Sequence, residues 1–202
     1  GSEYEPLLHR DLLLALRILA DDVPVERGLA RELLGEAVRL LRTARYRKLR
    51  KEVASRLGAL GGGPYEVETA SLLLPALRDE DWRVRRAAAG ALGELGRASD
   101  EVIAALLAAL RDEKWLVRRA AARALGELGR ATDEVLAALL AALRDEEVNV
   151  RWAAARALGA LGRASDEVLA ALLAALRDEE GRVRWAAARA LGALGRASDE
   201  VL

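Results

Sequence analysis

From residue 66 onward the sequence repeats itself every 33 residues, and this period constrains the fold more than any other feature. The string Ala-Leu-Arg-Asp-Glu begins at Ala76, Ala109, Ala142 and Ala175. Units 132–164 and 165–197 differ only at the pairs Thr132/Ser165, Val148/Gly181 and Asn149/Arg182. Identity this high indicates recent duplication or deliberate design.

The pattern inside each unit predicts two helices. Ser99 is a good N-cap, and the apolar positions that follow it recur at three- and four-residue spacing. A second helix follows the Asp112-Glu113 turn, and Gly129 supplies the left-handed residue that closes it. Ala and Leu supply nearly all the packing, because Phe, Met and Cys are absent and aromatic residues make up only 3% of the chain.

A helix pair this short cannot bury its apolar side alone, so neighbouring pairs must stack. The sequence therefore predicts an all-α fold, a right-handed α-α superhelix with a 33-residue period. The array is expected to span 64–202, with units 66–98, 99–131, 132–164 and 165–197 and a partial unit 198–202.

The repeated pattern L-x-A-L-x-D-x-D/E-x-x-V-R-x-x-A-x-x-A-L-G-x-L/I-G resembles HEAT repeats of the bilin-lyase-like subtype across residues 66–202. In that family an aspartate between the helices and an arginine early in the second helix form a ladder from repeat to repeat. The resemblance implies a structural ladder here of Asp79, Arg85, Asp112, Arg118, Asp145, Arg151, Asp178 and Arg184.

Residues 1–63 are less regular and are interpreted as a divergent helical cap, with helices expected near 4–20, 25–43 and 45–60. The segment 57–61 echoes the end of a second helix, so the third of these helices is interpreted as half of a degenerate repeat. Pro75 replaces the Ala of later units and is expected to kink its helix.

The stretch 10–22 also resembles the segment that joins a NACHT-type signalling ATPase to a carboxy-terminal HEAT array in some bacterial receptors. That resemblance implies the sensor arm of such a receptor. No GxxxxGK[ST] loop is present, so we expect no nucleotide site in this sequence.

The sequence offers no catalytic constellation, and the chain is predicted not to be an enzyme. His9 is the one histidine and there is no cysteine, so we expect no triad, no metal site and no cofactor. No apolar run is long enough to span a bilayer. The formal net charge is zero, and a cytoplasmic location is expected for such an array.

Differences between the repeats cluster at the start of the second helix, on a face that lines the concave surface in HEAT-like arrays. This face is the candidate site for a protein or peptide, because Trp and Arg are enriched at interface hot spots. The candidate residues are Trp82, Arg83, Arg86, Trp115, Leu116, Arg119, Arg123, Trp152, Arg156, Arg182, Trp185 and Arg189.

Three alternatives stay open. The Trp rings could instead cover the Ala-rich seam between repeats. Nucleic acid could bind the arginines, although nearby acidic residues such as Glu127 dilute the positive charge. The array could also be an engineered scaffold with no natural ligand. Separately, the uncovered apolar side beside Leu202 predicts end-to-end self-association.

Overall fold

A computed structural model describes residues 9–21 and 23–199, with side chains described up to Gly195. This part of the chain forms α-helices, one 3-10 helix and no strand. The helices are α1 (Arg10–Ala20), α2 (Arg27–Thr43), α3 (Arg47–Gly58), α4 (Glu66–Leu73), the 3-10 helix (Leu74–Arg78), α5 (Trp82–Leu95), α6 (Asp100–Ala109), α7 (Trp115–Leu128), α8 (Asp133–Ala142), α9 (Val148–Leu161), α10 (Asp166–Ala175) and α11 (Gly181–Asp199).

The chain divides into two compact units, one up to Arg97 and one from Ala98 onward. In the first unit α1, α2 and α3 pack together, and α3 lies along α5. In the second unit the pairs α6–α7, α8–α9 and α10–α11 follow one another, and α7, α9 and α11 pack side by side. We call α5, α7, α9 and α11 the second helices of their repeats.

The helix boundaries follow from local chemistry. The side chains of Ser99, Thr132 and Ser165 each accept a hydrogen bond from the backbone N–H three residues later, as the sequence predicts. Gly129 closes α7 with a φ of +68°, where a residue with a side chain would be strained. Gly96 and Gly162 close α5 and α9 in the same conformation.

The core of each pair consists of small and branched apolar residues on facing stripes. Val117, Ala121 and Leu125 of α7 are fully buried, and their equivalents in α9 are buried too. A Cβ atom built on Gly126 would lie 2.8 Å from the Cα of Ala157, and one on Gly159 would lie 2.8 Å from the Cα of Ala190. At these glycines α7 and α9, and α9 and α11, therefore touch backbone to backbone, which only glycine permits.

The first unit repeats this close approach with different residues. A Cβ on Gly58 of α3 would lie 2.6 Å from the Cβ of Glu94 on α5. The packing of α3 on α5 therefore resembles that of α7 on α9. The boundary predicted at residue 63 stays a prediction.

Pro75 changes the form of its helix rather than its direction alone. The α-helix ends at Leu73, and the backbone continues as a 3-10 helix through Arg78. Proline has no N–H to donate to a carbonyl four residues earlier, so the tighter turn replaces the α-helical one.

Two predictions concern chain ends that lie partly or wholly outside the described residues. Helix α1 begins at Arg10, and the expected start near residue 4 lies outside them, as does Leu202. Of the partial unit 198–202, only the first two residues are described, and they are the last residues of α11. Within the described residues no helix is long and apolar enough to cross a membrane.

Candidate binding surface on the second helices

Two arginines of the predicted ladder join neighbouring repeats in the second unit. Arg118 binds both carboxylate oxygens of Asp145, with Nε–Oδ2 and Nη2–Oδ1 distances of 2.7 and 2.8 Å. Arg151 binds Asp178 in the same way, at 2.8 and 3.1 Å. These side chains are only 11% (Arg118, Arg151) or 12% (Asp145, Asp178) exposed. Such a two-pronged pair fixes orientation as well as charge.

The same arginines also tie the turn within their own repeat. The Nη1 of Arg118 donates to the carbonyl oxygens of Asp112 and Glu113 at 2.9 and 3.3 Å. Arg85 and Arg184 make the equivalent bonds to the turns that precede their own helices. Each predicted ladder arginine therefore holds the corner between the two helices of a repeat.

The ladder aspartates shape those corners as well. The Oδ1 of Asp112 accepts a hydrogen bond from the backbone N–H of Lys114 at 2.8 Å. The aspartates at 79, 145 and 178 accept the equivalent N–H at 2.9 or 3.0 Å. A carboxylate that caps a turn and binds a guanidinium explains why Asp recurs at this position.

The ladder shifts the pKa values of its members. Hydrogen bonding to Asp145 outweighs burial and raises the pKa of Arg118, and hydrogen bonding to Asp178 does the same for Arg151. Burial acts to raise the pKa of Asp178, but the bonds from Arg151 and from the backbone N–H of Glu180 lower it overall. Both partners of the pair are therefore held in their charged forms.

Residues that the sequence did not single out do the equivalent work in the first unit. Arg50 of α3 is buried and donates to the carbonyl oxygens of Leu41 and Ala44 at 3.0 and 2.6 Å, and it lies 3.5 Å from Asp81. Asp79 is bound instead by Arg42 of α2, at 2.7 Å. The available signal was the alignment of 48–61 with 83–96, which places Arg50 opposite Arg85.

A second set of arginines joins the linkers between repeats and was also missed. Arg130 donates to the carbonyl of Ala98 at 3.1 Å and pairs with Asp100. Arg163 likewise donates to the carbonyl of Ala131 at 3.1 Å and pairs with Asp133 at 2.6 Å. The recurrence of Gly-Arg-Ala-Ser/Thr-Asp every 33 residues was the signal for these contacts.

The candidate Trp residues each carry an arginine over the ring. In the second unit Arg119 lies 5.6 Å from the ring centroid of Trp115. Arg156 lies 4.9 Å from that of Trp152, and Arg189 lies 5.0 Å from that of Trp185. Each arginine follows its Trp by four residues, which places both on one helix face. These are cation–π contacts.

The last ring of the second unit is the most exposed. Trp115 and Trp152 are partly buried, whereas Trp185 is 53% exposed. Partial burial is compatible with packing over the alanine seam, and all three rings still present a surface. In the first unit Trp82 is partly buried beneath Arg83 and Arg86, at 4.8 and 5.9 Å.

The remaining candidates surround these stacks. Arg182 donates to the Oδ1 of Asn149 at 2.9 Å, which joins α11 to α9 beside the Trp residues. Leu116 stands at the equivalent position of α7 and is partly buried. Arg123 pairs with Glu127 at 3.2 Å. Burial, reinforced by the charge of Arg123, lowers the pKa of Arg119.

We define the helix-B face as the positions of Trp115, Leu116, Arg119, Arg123 and Glu127 on α7 and their equivalents at intervals of 33 residues. On α9 these are Val148, Asn149, Trp152, Arg156 and Ala160, and on α11 they are Gly181, Arg182, Trp185, Arg189 and Ala193. No group of metal-ligating side chains occurs within the described residues.

Helix pairs that pack through their second helices and are joined by arginine–aspartate bonds define a helical repeat protein. The chain belongs to the HEAT repeat family, since the family model for HEAT repeats matches residues 12–113, 70–147 and 136–202. The predicted all-α HEAT-repeat fold is thereby confirmed. No curated protein matches the chain.

Solved structures show the same fold. The complex of CpcE and CpcF of phycocyanin lyase from Nostoc sp. PCC7120 is 29% identical with a TM-score of 0.63, over 86% of this chain and 69% of that chain. A designed armadillo repeat protein in complex with the peptide (KR)4 is 19% identical with a TM-score of 0.60, over 96% and 95%. An engineered protein is 24% identical with a TM-score of 0.55, over 98% and 92%.

Proposed function

We propose that the chain is a non-catalytic recognition module that binds an extended peptide or protein segment on the helix-B face of its second unit. One observation carries the proposal. Units 132–164 and 165–197 are identical outside three positions, and two of these three lie on the helix-B face. Variation limited to a surface whose supporting core is constant is typical of a surface that sets partner choice.

The side-chain chemistry supports the same proposal. Indole rings offer a large contact area at a small loss of conformational freedom, and an arginine over the ring adds forked donors. The fold suits such a role, because one designed relative by fold holds a peptide. The phycocyanin lyase complex has the fold as well, so the fold by itself does not separate binding from catalysis.

Two finer parts of the proposal rest on sequence alone. The likeness of residues 10–22 to a NACHT-type linker supports a role as the sensor arm of a larger bacterial signalling ATPase, and the lack of cysteine is compatible with a cytoplasmic location. The alternative of an engineered scaffold makes the opposite prediction for binding, namely that no ligand is found.

A peptide-library selection tests the proposal. The wild-type chain should enrich a family of sequences that a Trp115/Trp152/Trp185→Ala variant no longer binds. The control is Leu173→Ala on α10, which removes an apolar side chain about as exposed as that of Trp185 (56% against 53%) from outside the helix-B face. Equal enrichment by wild type and the Trp variant would contradict the proposal.

A further inference from the structure

The arginines of the helix-B face differ in whether a carboxylate on the same face pairs with them. Arg123 of α7 pairs with Glu127, four residues later, at 3.2 Å. The positions equivalent to Glu127 are Ala160 in α9 and Ala193 in α11. Among the described residues no carboxylate lies within ion-pair distance of Arg156 or Arg189, the equivalents of Arg123.

The two arginines are nevertheless held in place. Arg156 and Arg189 lie 4.9 and 5.0 Å from the ring centroids of Trp152 and Trp185, which limits the directions that each guanidinium can take. Arg182 adds a third cation, because its partner Asn149 is a neutral acceptor. An arginine stacked on a ring keeps its edge donors available for a carboxylate.

The helices that carry the two stacks pack against each other. A Cβ on Gly159 would lie 2.8 Å from the Cα of Ala190, so the backbones of α9 and α11 approach each other closely there. Packed helices lie roughly 8–10 Å apart. In an extended chain, side chains two residues apart point to the same side and are separated by about 7 Å. Flexible carboxylate side chains at such positions can reach both arginines.

We propose that the α9–α11 part of the helix-B face is a two-point clamp for an acidic, extended peptide segment. Trp152–Arg156 and Trp185–Arg189 each receive one carboxylate, and the change from Glu127 to Ala160 and Ala193 determines where along the face the acidic segment binds. The inference rests on the proposed function and specifies the chemistry of its partner.

The test compares three peptides of equal length on the full chain by fluorescence polarisation: (ES)4, (QS)4 and (KS)4. The clamp predicts the order (ES)4, (QS)4, (KS)4 from tightest to weakest. It also predicts that added salt weakens (ES)4 binding, since exposed charge pairs are screened.

The decisive variant is Ala160→Glu/Ala193→Glu, which gives α9 and α11 the carboxylate that α7 already has. It should weaken (ES)4 binding by roughly 3- to 30-fold, because two exposed charge pairs are lost. The variant is expected to fold, because α7 already carries a glutamate, Glu127, at the equivalent position. The control is Ala137→Glu/Ala170→Glu, which adds the same charge at exposed positions of α8 and α10 and should leave affinity within about twofold.

Other outcomes overturn the inference in distinguishable ways. If (QS)4 or (KS)4 binds as tightly as (ES)4 and Trp152/Trp185→Ala abolishes that binding, the face recognises peptides but is not an acidic clamp, and only the inference fails. If no peptide binds and the library selection also enriches none, the proposed function fails as well. Tighter binding of a single-stranded oligonucleotide than of (ES)4, with the same sensitivity to Ala160→Glu/Ala193→Glu, would assign the arginines to nucleic acid instead.

Discussion

The two compact units secure their repeats with the same chemistry but different residues. In the second unit Arg118 and Arg151 are nearly buried, and each binds both the corner of its own repeat and the aspartate of the next. At the α3–α5 junction of the first unit two residues share these tasks, because Arg50 binds the corner carbonyls and lies 3.5 Å from Asp81, whereas Arg42 binds Asp79. The side chain of Arg42 is 56% exposed. Where the 33-residue period holds, one nearly buried arginine does both tasks, and at the irregular α3–α5 junction a second, exposed arginine takes part.

The largest effect is expected where the ladder is buried. Arg118→Ala should lower the free energy of unfolding by about 3 kcal/mol, because it leaves the carboxylate of Asp145 nearly buried without its guanidinium. Arg119→Ala, one residue away on the helix-B face, is the matched control and should change stability much less. Chemical denaturation measures both, and equal losses would refute the separation of the two arginines.

The next effect concerns the seam between second helices. Gly126→Ala should destabilise the chain by roughly 1–3 kcal/mol, because its Cβ would overlap the backbone of Ala157. Gly35→Ala in α2 is the control, since a Cβ there meets nothing within 4 Å. It should be neutral or stabilising by up to about 1 kcal/mol. A Gly126→Ala chain as stable as wild type would show that the seam is looser than described.

The exposed arginine of the first unit should matter less than Arg118. Arg42→Ala is expected to lower the free energy of unfolding by about 1–2 kcal/mol, because solvent screens the pair at the guanidinium, which is 56% exposed, although Asp79 is only 13% exposed. Arg50→Ala should be clearly more damaging, since it leaves buried carbonyl oxygens without a donor. The reverse ranking in thermal or chemical unfolding would contradict the division of tasks described for this unit.

The smallest expected effect is the loss of unfolding stability at acidic pH. The pKa of Asp178 lies below its value in the unfolded chain, so the unfolded state binds more protons and stability falls as pH drops below about 4. Removing the guanidinium with Arg151→Ala should make this fall shallower, and Asp178→Asn should do the same. The denaturation midpoint measured against pH tests this, and a wild-type slope unchanged in both variants would argue against the pair.

The fold was predictable because period, caps and apolar spacing all favour stacked helix pairs. The helices expected near 25–43 and 45–60 correspond to α2 and α3, with shifts of only a few residues. The ladder was predicted from the family resemblance, because no local sequence pattern identifies residues 27 apart, such as Arg118 and Asp145, as partners. Arg42 and Arg50 were missed because the spacing between α3 and α5 departs from 33 residues.

The candidate site was less predictable than the fold. The sequence placed Trp115, Trp152 and Trp185 on one face, but ring exposure depends on which residue the neighbouring helix presents. The absence of a carboxylate beside Arg156 and Arg189 was readable in the sequence as Ala160 and Ala193. The consequence of these alanines could be recognised only from the structure, in which Arg123 of α7 pairs with Glu127.

The most direct test of the account measures stability and peptide binding together for Arg151→Ala and Arg156→Ala, two arginines of the same helix. We predict that Arg151→Ala lowers unfolding stability while the folded chain keeps its affinity. We also predict that Arg156→Ala weakens the binding of (ES)4 at unchanged stability. Parallel losses of both properties in both variants would contradict the claim that the ladder and the helix-B face are separate in function.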